Sequence, residues 1–370
     1  MDEITRLARP EILAMAASGP GRAVQPERDV PTRLDANENP YPPFPGTVDG
    51  LPHNRYPEPQ PGHLLDRFAE CFGTPRERLL ITRGVDEAMD LLVRAFCAAG
   101  RDSILVCPPV FGRHAVSARV QSVAIHEVPL RGDAGFELDV DRILDVHRSD
   151  PGLKVLFLCT PNDPTGNLVR RADVLRLCSE LLGKALVVAD QTYVEYSGDA
   201  PLSRDIDAHP NLVVLRTLSK EYSLAGEQVG VVVAHPEVVG IVGRIVIPRP
   251  LTQSTIATVT AAVTPAGIEY AHANIRRLLK ERRRVEDTLG AMPGTRVHPS
   301  DANFLLVDVA RPQELTQSMR QAGIRILDCS AVPGAGDSVR ISIGTYRQND
   351  AMLAVFGAHT AFGGQTATSV

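Results

Sequence analysis

One lysine, one aspartate and one glycine turn stand at the ends of short apolar runs, and each suits a different part of amine–carbonyl chemistry. Lys220 lies in Thr217-Leu218-Ser219-Lys220, directly after the apolar run Leu212 to Leu215. Leu224-Ala225-Gly226 follows, then a second apolar run from Val229 to Ala234. A lysine amine must lose its proton to attack an aldehyde, and a dry, crowded setting lowers its pKa. Lys220 is therefore a candidate for Schiff-base chemistry; the plainer reading is a solvated lysine after a strand. Asp190 closes the run Leu186-Val187-Val188-Ala189. In open α/β sheets ligands bind at the carboxyl ends of strands, so a carboxylate there is a ligand candidate as well as a possible N-cap or turn residue. Gly84-Val85-Asp86 sits between a strand and a helix. Glycine permits a tight turn, and free N–H groups at a helix start favour a phosphate, although many such turns bind nothing.

The elements that must position these residues follow from the apolar pattern. Ser103 to Cys107, Ala124 to Pro129, Val155 to Cys159, Leu186 to Asp190, Leu212 to Leu215 and Val229 to Ala234 are short apolar runs. Helical stretches such as Asp86 to Ala99 and Ala172 to Leu182 lie among them. Short apolar strands separated by helices indicate an α/β fold with a mainly parallel sheet buried on both faces. Val259 to Leu289 reads as helix, broken or kinked at Pro265-Ala266-Gly267. Its basic run from Arg276 to Arg284 reads as a solvated face. Strands near Asn303 to Val307 and Val339 to Ile343 predict a second, smaller α+β domain. Residues 38 to 62, rich in Pro, Gly and Asn, predict a loop that lines a site. Before it, Ile4 to Ala17 is a short amphipathic stretch.

Length and composition bound the function. The chain has 370 residues, enough for one large domain and a smaller one. A net charge of −5 argues against nucleic acid and acidic membrane surfaces as partners. Trp is absent and aromatics are 5%, which disfavours stacking on single strands. No apolar stretch approaches a membrane span, and Met1-Asp2-Glu3-Ile4 lacks a basic-then-apolar leader. Six scattered cysteines without CxxC spacing read as buried free thiols in a reducing cytoplasm. Ten histidines without ligand spacing predict no metal site.

Ser219-Lys220-x-x-x-Leu224-Ala225-Gly226 resembles the cofactor-lysine segment of histidinol-phosphate aminotransferases, fold-type I enzymes that use pyridoxal 5′-phosphate. The resemblance runs from Leu34-Asp35-Ala36-Asn37-Glu38-Asn39-Pro40-Tyr41 to Val339-Arg340-Ile341-Ser342-Ile343-Gly344-Thr345. Between them, in the family's order, stand Asn54-Arg55-Tyr56-Pro57, Thr82 to Glu87, Cys107-Pro108-Pro109, Pro164-Thr165-Gly166 and Val188-Ala189-Asp190. The resemblance implies a fold-type I transferase: a large domain with a mainly parallel seven-stranded sheet (34–260), a small α+β domain (261–370) and an N-terminal arm (1–33). It implies a homodimer with a shared site, in which Tyr56 reaches the cofactor phosphate of the neighbouring subunit. Lys220 would carry the cofactor, and Asp190 would keep its ring nitrogen protonated. Tyr193 would donate to the ring hydroxyl, and Phe111 would stack on the ring. Gly84, Val85, Asp86, Thr217 and Ser219 would hold the phosphate. Arg340 would clamp a substrate carboxylate or equivalent anion, with Asn37 and Asn303 lining the substrate side.

Four departures qualify that picture. The family's phosphate arginine is Gln228, a change worth roughly 1.5–3 kcal/mol of cofactor affinity. The asparagine before Pro-Thr-Gly is Asp163, which cannot donate to the ring oxygen while ionised. Asp163 must then be protonated, turned away, or close enough to perturb the cofactor's titration. The acid after the cofactor aspartate is Gln191. Lastly, Leu327 stands where the family's arginine grips a distal phosphate, with Arg325 two positions away and on the same face if the segment is one strand. Glu11, near the place of a tyrosine aimed at that phosphate, would repel an anion. These features predict an enzyme of the aminotransferase family acting on an amino acid or related primary amine other than histidinol phosphate. The alternative within the same cofactor chemistry is a lyase, decarboxylase or oxidative deaminase. A non-catalytic regulator would not need Lys220, Asp190, Tyr193 and Arg340 together.

Overall fold

The computed structural model describes residues 32–35, 37, 39–41, 56–110 and 112–363. The amphipathic stretch from Ile4 to Ala17, Glu11, residues 42–55 of the Pro-rich segment and Phe111 lie outside the described residues. In chain order the strands are β1 (Thr32–Arg33), β2 (Leu79–Thr82), β3 (Ser103–Val106), β4 (Ala124–Glu127), β5 (Leu153–Cys159), β6 (Leu186–Asp190) and β7 (Leu212–Thr217). β8 (Gly230–Ala234), β9 (Thr295–Val297), β10 (Phe304–Val309), β11 (Ile324–Arg325), β12 (Leu327–Asp328) and β13 (Ser338–Ser342) follow.

Seven strands form one sheet in the order β2-β8-β7-β6-β5-β3-β4. β8 runs antiparallel to both neighbours and the other pairs are parallel. Val, Ile and Leu dominate the inner strands, and β6, β7 and β8 are buried at every position. That is the pattern of a sheet covered by helices on both faces. Leu64, Phe68, Leu177 and Val259 cover one face, and Ala88, Leu92, Ala118 and Val242 cover the other. The helix Gly84–Phe96 shows why. Ala88, Met89, Leu91, Leu92 and Val93 make its buried stripe, while Asp86 and Glu87 place negative charge at its positive N-terminal end.

Register fixes what stands at the carboxyl edge. Cys159 at the end of β5 pairs with Asp190 at the end of β6, and Asp190 pairs with Leu215 of β7. Thr217 pairs with Gly230, which also faces Thr82 of β2. The chain's chemistry-bearing residues thus emerge along one line.

The second sheet is antiparallel, in the order β12-β13-β10-β9. Leu306 of β10 and Leu327 of β12 both pair with Arg340 of β13. Its core gathers Phe304, Leu305, Val339, Ile341, Met352 and Phe356. β1 pairs in parallel with β11, and the Ser342 amide donates to the Leu34 carbonyl at 3.1 Å, so residues 32–37 are laced to this sheet. The expected break near Pro265 is present: one helix covers Gln253–Ala262 and the next begins at Pro265. The Thr264 hydroxyl caps the second helix by accepting from the Gly267 amide at 3.2 Å. The basic run on that helix is less solvated than expected. Arg282 is half-buried and donates to the Ala302 carbonyl, and Arg284 bridges Glu281 and Asp350.

Gly230 permits the closest backbone approach at the sheet edge. A Cβ there would lie 2.4 Å from the Gly84 carbonyl carbon and 2.8 Å from the Val85 nitrogen. Gly230→Ala should therefore lower unfolding free energy by about 1–3 kcal/mol, the usual range for forced overpacking. Urea unfolding followed by circular dichroism checks this, and an unchanged midpoint would show that the edge yields freely.

Candidate active site

The glycine turn forms a donor-rich cradle. Gly84 has φ +72°, in the region that favours glycine, and opens the helix Gly84–Phe96 without a side-chain N-cap bond. Its first amides point outward, as an anion requires. The Gln228 carbonyl would lie 3.6 Å from a Cβ on Gly84, so Gln228 borders this cradle with its side chain exposed. Two hydroxyls complete it. Thr217 and Ser219 lie 3.1 Å apart through their Oγ atoms, and the Ser219 amide donates to Thr217 Oγ1 at 3.1 Å. Asp86 is exposed and paired with Arg113 at 2.8 Å. Glycine, amide and hydroxyl donors in this arrangement fit a phosphate monoester.

Asp190 is 5% exposed, and its Oδ1 accepts from the Thr192 amide at 3.1 Å and the Thr192 hydroxyl at 2.5 Å. Its Oδ2 lies 3.4 Å from Nε2 of His114, an imidazole also buried. Sequence reading missed His114. It sits in the helix Arg113–Gln121 rather than at a strand end, so no positional signal marked it. Cys159 joins these two groups within 4.8 Å, the metal-ligand trio found among the described residues. Burial, then Asp190 and Asp163, pushes the Cys159 thiol well above its usual range. A thiol held protonated is a poor metal ligand. Gln191, next to Asp190 in sequence and just past β6, turns its amide oxygen to the Leu202 N–H at 3.0 Å and supports the adjoining loop.

Lys220 follows β7 by three residues and is half-buried, with Nζ 6.0 Å from the Tyr193 ring centroid. Its carbonyl accepts from the Tyr196 hydroxyl at 2.9 Å and from the Asn39 amide at 3.3 Å, which fixes the loop. Beneath it Arg216 pairs with Glu195 and covers the Phe72 ring at 4.5 Å. Glu221, next in sequence to Lys220, is buried and lies 3.5 Å from His272 Nε2.

The remaining candidates converge on Arg340. Its Nη1 donates to Asp163 Oδ1, and its Nη2 donates to the Asp35 carbonyl at 2.7 Å. Asp163 Oδ2 accepts from the Tyr193 hydroxyl at 3.0 Å and from Asn37 Nδ2 at 3.4 Å. Asn37 Nδ2 also reaches the Tyr193 hydroxyl at 3.1 Å, and Asn303 Nδ2 donates to the Asn37 carbonyl at 3.0 Å. Of the three options for Asp163, the structure shows it turned toward the arginine. Burial, then the Asp163 charge, pushes the Tyr193 phenol well above its usual range, so it keeps its proton. Arg325 and Leu327 do not share one strand. β11 and β12 belong to different sheets, and Arg325 Nε pairs with Asp35 at 3.3 Å. Tyr56 stands apart, 84% exposed, with the Arg249 guanidinium 4.6 Å over its ring. Phe111 lies outside the described residues.

Comparison with known proteins identifies the family and the fold. The aminotransferase class I and II family model matches residues 30–356. A histidinol-phosphate aminotransferase of Stenotrophomonas maltophilia (strain R551-3) is 39% identical over 363 residues, covering 98% of each chain. The structure of histidinol-phosphate aminotransferase from Sinorhizobium meliloti in complex with pyridoxal-5′-phosphate superposes with a TM-score of 0.84 at 22% identity, covering 96% of this chain and 98% of that one. The L-threonine-O-3-phosphate decarboxylase of Porphyromonas gingivalis shares the fold, with a TM-score of 0.71 at 23% identity over 89% of this chain and 99% of that one. The chain belongs to the class I and II aminotransferase family of pyridoxal-phosphate-dependent enzymes. Gly84, Val85, Thr217, Ser219, Asp190 and Lys220 offer amide, hydroxyl, carboxylate and amine groups of the kinds that fit such a cofactor.

The cluster beneath Lys220 gives stability a pH dependence. Burial raises Glu195 from 4.5 to about 7, against the lowering effect of Arg216 and with help from Glu221. The folded chain thus holds a proton that the unfolded chain releases between those values. The resulting stability is complete below about pH 4.5 and is lost as pH rises through about 7. Between pH 5 and 8 the wild type should lose stability relative to Glu195→Gln, by at most about 3 kcal/mol. Urea midpoints at both pH values measure it; parallel pH slopes would mean that Glu195 titrates as an ordinary carboxylate.

Proposed function

We propose that the chain transaminates a primary amine or amino acid, with Lys220 as the cofactor-bearing and proton-moving residue. The observation that carries this reading is the placement of Lys220 after β7 and Asp190 at the end of the adjacent β6, beside the Gly84 cradle. When bound, pyridoxal phosphate supplies an electron sink for the bonds around the amine-bearing carbon. Asp190 would hold the ring nitrogen protonated, with His114 and Thr192 fixing the carboxylate. The Gly84, Val85 and Asp86 amides and the Thr217 and Ser219 hydroxyls would hold the phosphate, with Gln228 at its border. Phe111 would cover the ring, Asp163 and Tyr193 would flank its hydroxyl side, and Asn37, Asn303 and Arg340 would line the substrate end. Lys220 Nζ would take the proton from the substrate's amine-bearing carbon and return it as general acid.

The relatives' name makes histidinol phosphate the first substrate to consider. Two features favour a different amine. Leu327 occupies the place of the arginine that would grip a distal phosphate, and Arg325 is already paired with Asp35. The reading divides the chain into an arm (1–33), a large domain (34–260) and a small domain (261–370), supported by the two sheets. A homodimer is part of it. Tyr56 is exposed and makes no hydrogen bond with its own chain's site residues among the described residues, as expected of a side chain that serves a neighbouring subunit. No described helix is long and apolar enough to cross a membrane, and six free thiols support a cytoplasmic setting. A lyase, decarboxylase or oxidative deaminase is the second reading, favoured by Asp163, which is acceptor-only when ionised.

Borohydride reduction of the holo-protein should leave the cofactor attached to Lys220, as read by peptide mass spectrometry. An equal yield of reduced adduct in Lys220→Ala would sink the assignment. In a panel of amines, amino acids and histidinol phosphate, with aldehydes as well as keto acids as acceptors, transamination should yield one carbonyl product per new amine. Carbon dioxide release or oxygen uptake would transfer the case to the second reading, and fastest turnover of histidinol phosphate would remove the substrate argument.

The shared site predicts complementation. Lys220→Ala and Tyr56→Ala chains, each inactive alone, should regain up to about a quarter of wild-type activity when mixed dimers form, since one of the two sites is then intact in half of the dimers. No recovery despite exchange, or a monomer by sedimentation, would refute it.

A further inference from the structure

The side chain expected to receive a substrate carboxylate already holds one. Arg340 is 3% exposed and spends Nη1 on Asp163 and Nη2 on the Asp35 carbonyl. A guanidinium grips a carboxylate best with two parallel N–H groups, and here both terminal nitrogens already donate within the chain. Asp163 is itself 8% exposed and anchored on both oxygens, through Arg340 on one and Tyr193 and Asn37 on the other. Its neighbour Asn162 fastens the loop by donating to the Pro109 carbonyl at 2.8 Å and to the Thr165 hydroxyl at 2.7 Å. An arriving carboxylate would therefore have to lie against a fixed like charge or expel it from buried partners, and both are unfavourable. The second cation of this end, Arg325, is matched by the Asp35 side chain. The chain's own acids balance the arginines.

We propose that Asp163 is a specificity-determining residue, an internal carboxylate that fills the Arg340 clamp, so that the site prefers a primary amine without a carboxylate on its reacting carbon over the corresponding α-amino acid. The substrate class rests on the aminotransferase reading; the occupied clamp does not. An amine of this kind leaves the Arg340–Asp163 pair intact. Asp163→Asn keeps the side chain's shape and an oxygen for Arg340 but removes the charge that opposes a second carboxylate.

Glutarate, which has no amine or carbonyl to react, probes the clamp by calorimetry on the holo-protein. Asp163→Asn should bind it tighter by about tenfold or more, a free-energy change of about 1.4 kcal/mol. Asp163→Ser should move the same way and serves if the first variant misfolds. L-Norleucine and n-pentylamine differ only in the α-carboxylate, and their single-turnover rate ratio should rise by a similar factor in favour of norleucine. Glutarate affinity within twofold of wild type in the folded variants overturns the proposal, as does a fixed rate ratio. Tighter glutarate binding with neither amine reacting in any protein supports the clamp assignment and removes the transamination reading, so the two can fail separately.

Discussion

The end of the molecule proposed to take the substrate depends on one buried ion pair, Arg340 with Asp163. Asp163 comes from the loop after β5 of the seven-stranded sheet, and Arg340 from β13 of the four-stranded sheet. The pair therefore ties the two sheets together, beside the bonds of Asn37 to Tyr193 and of the Asp301 amide to the Gly166 carbonyl. Burying two charges is costly, and the pair is tolerable because both Asp163 oxygens and both terminal Arg340 nitrogens are engaged. Tyr193 and Asn37 complete Asp163, and the Asp35 carbonyl completes Arg340. Ser342 donates its hydroxyl to Asn37 Oδ1 at 2.7 Å and accepts from the Asn37 amide at 2.8 Å, which holds Asn37 at φ 52°. Losing either charged partner would leave the other buried and uncompensated, a change worth about 3–5 kcal/mol in such settings.

The cofactor end rests on a different constraint, the in-phase termination of strands. β5 and β6 end in register and parallel β7 runs two residues further, so Cys159, Asp190 and Thr217 emerge on one edge. β8 runs the other way, which puts its first residue, Gly230, at that same edge and against Gly84. The close approach is possible because Gly230 has no Cβ, while Gly84 supplies the positive φ of the turn. It sets the helix N-terminus beside the Thr217–Ser219 hydroxyls, and the Lys220 loop begins one residue later.

Much of this was legible in the sequence because burial on both faces leaves an unbroken apolar run. The inner strands were found that way, with ends displaced by a residue or two. β7 extends to Thr217 beyond the apolar run because Arg216 and Thr217 continue the ladder with Val231 and Gly230. Lys220 and Asp190 were legible because position after a strand is itself a signal. His114 was not, since a histidine in a mid-sized helix carries no such mark. The direction of Asp163 was equally hidden. Its partner lies 177 residues away, and only tertiary structure decides whether a carboxylate faces a ring, a solvent channel or an arginine. The single strand imagined for Arg325 and Leu327 failed for a related reason: Ile326 separates two short strands that pair with different partners.

One residue links the two ends. The position of Asp163 is shared by the clamp and, in the enzymes this chain resembles, by the ring oxygen of the cofactor. An asparagine can donate to that oxygen; an ionised aspartate can only accept. Here the acceptor is satisfied by Arg340, Asn37 and the Tyr193 proton, so the phenol that would serve the ring is itself engaged. Substituting one amide by one carboxylate thus acts twice. The carboxylate pairs with Arg340, the proposed substrate arginine, and in the proposed site it would withdraw two donors from the ring: the replaced amide and the Tyr193 hydroxyl. Asp190, supported separately by Thr192 and His114, is untouched by either effect, so its proposed hold on the ring nitrogen would remain. The family's cofactor chemistry can therefore persist while the amine it acts on, and the ease with which each bond at that amine is broken, are free to differ.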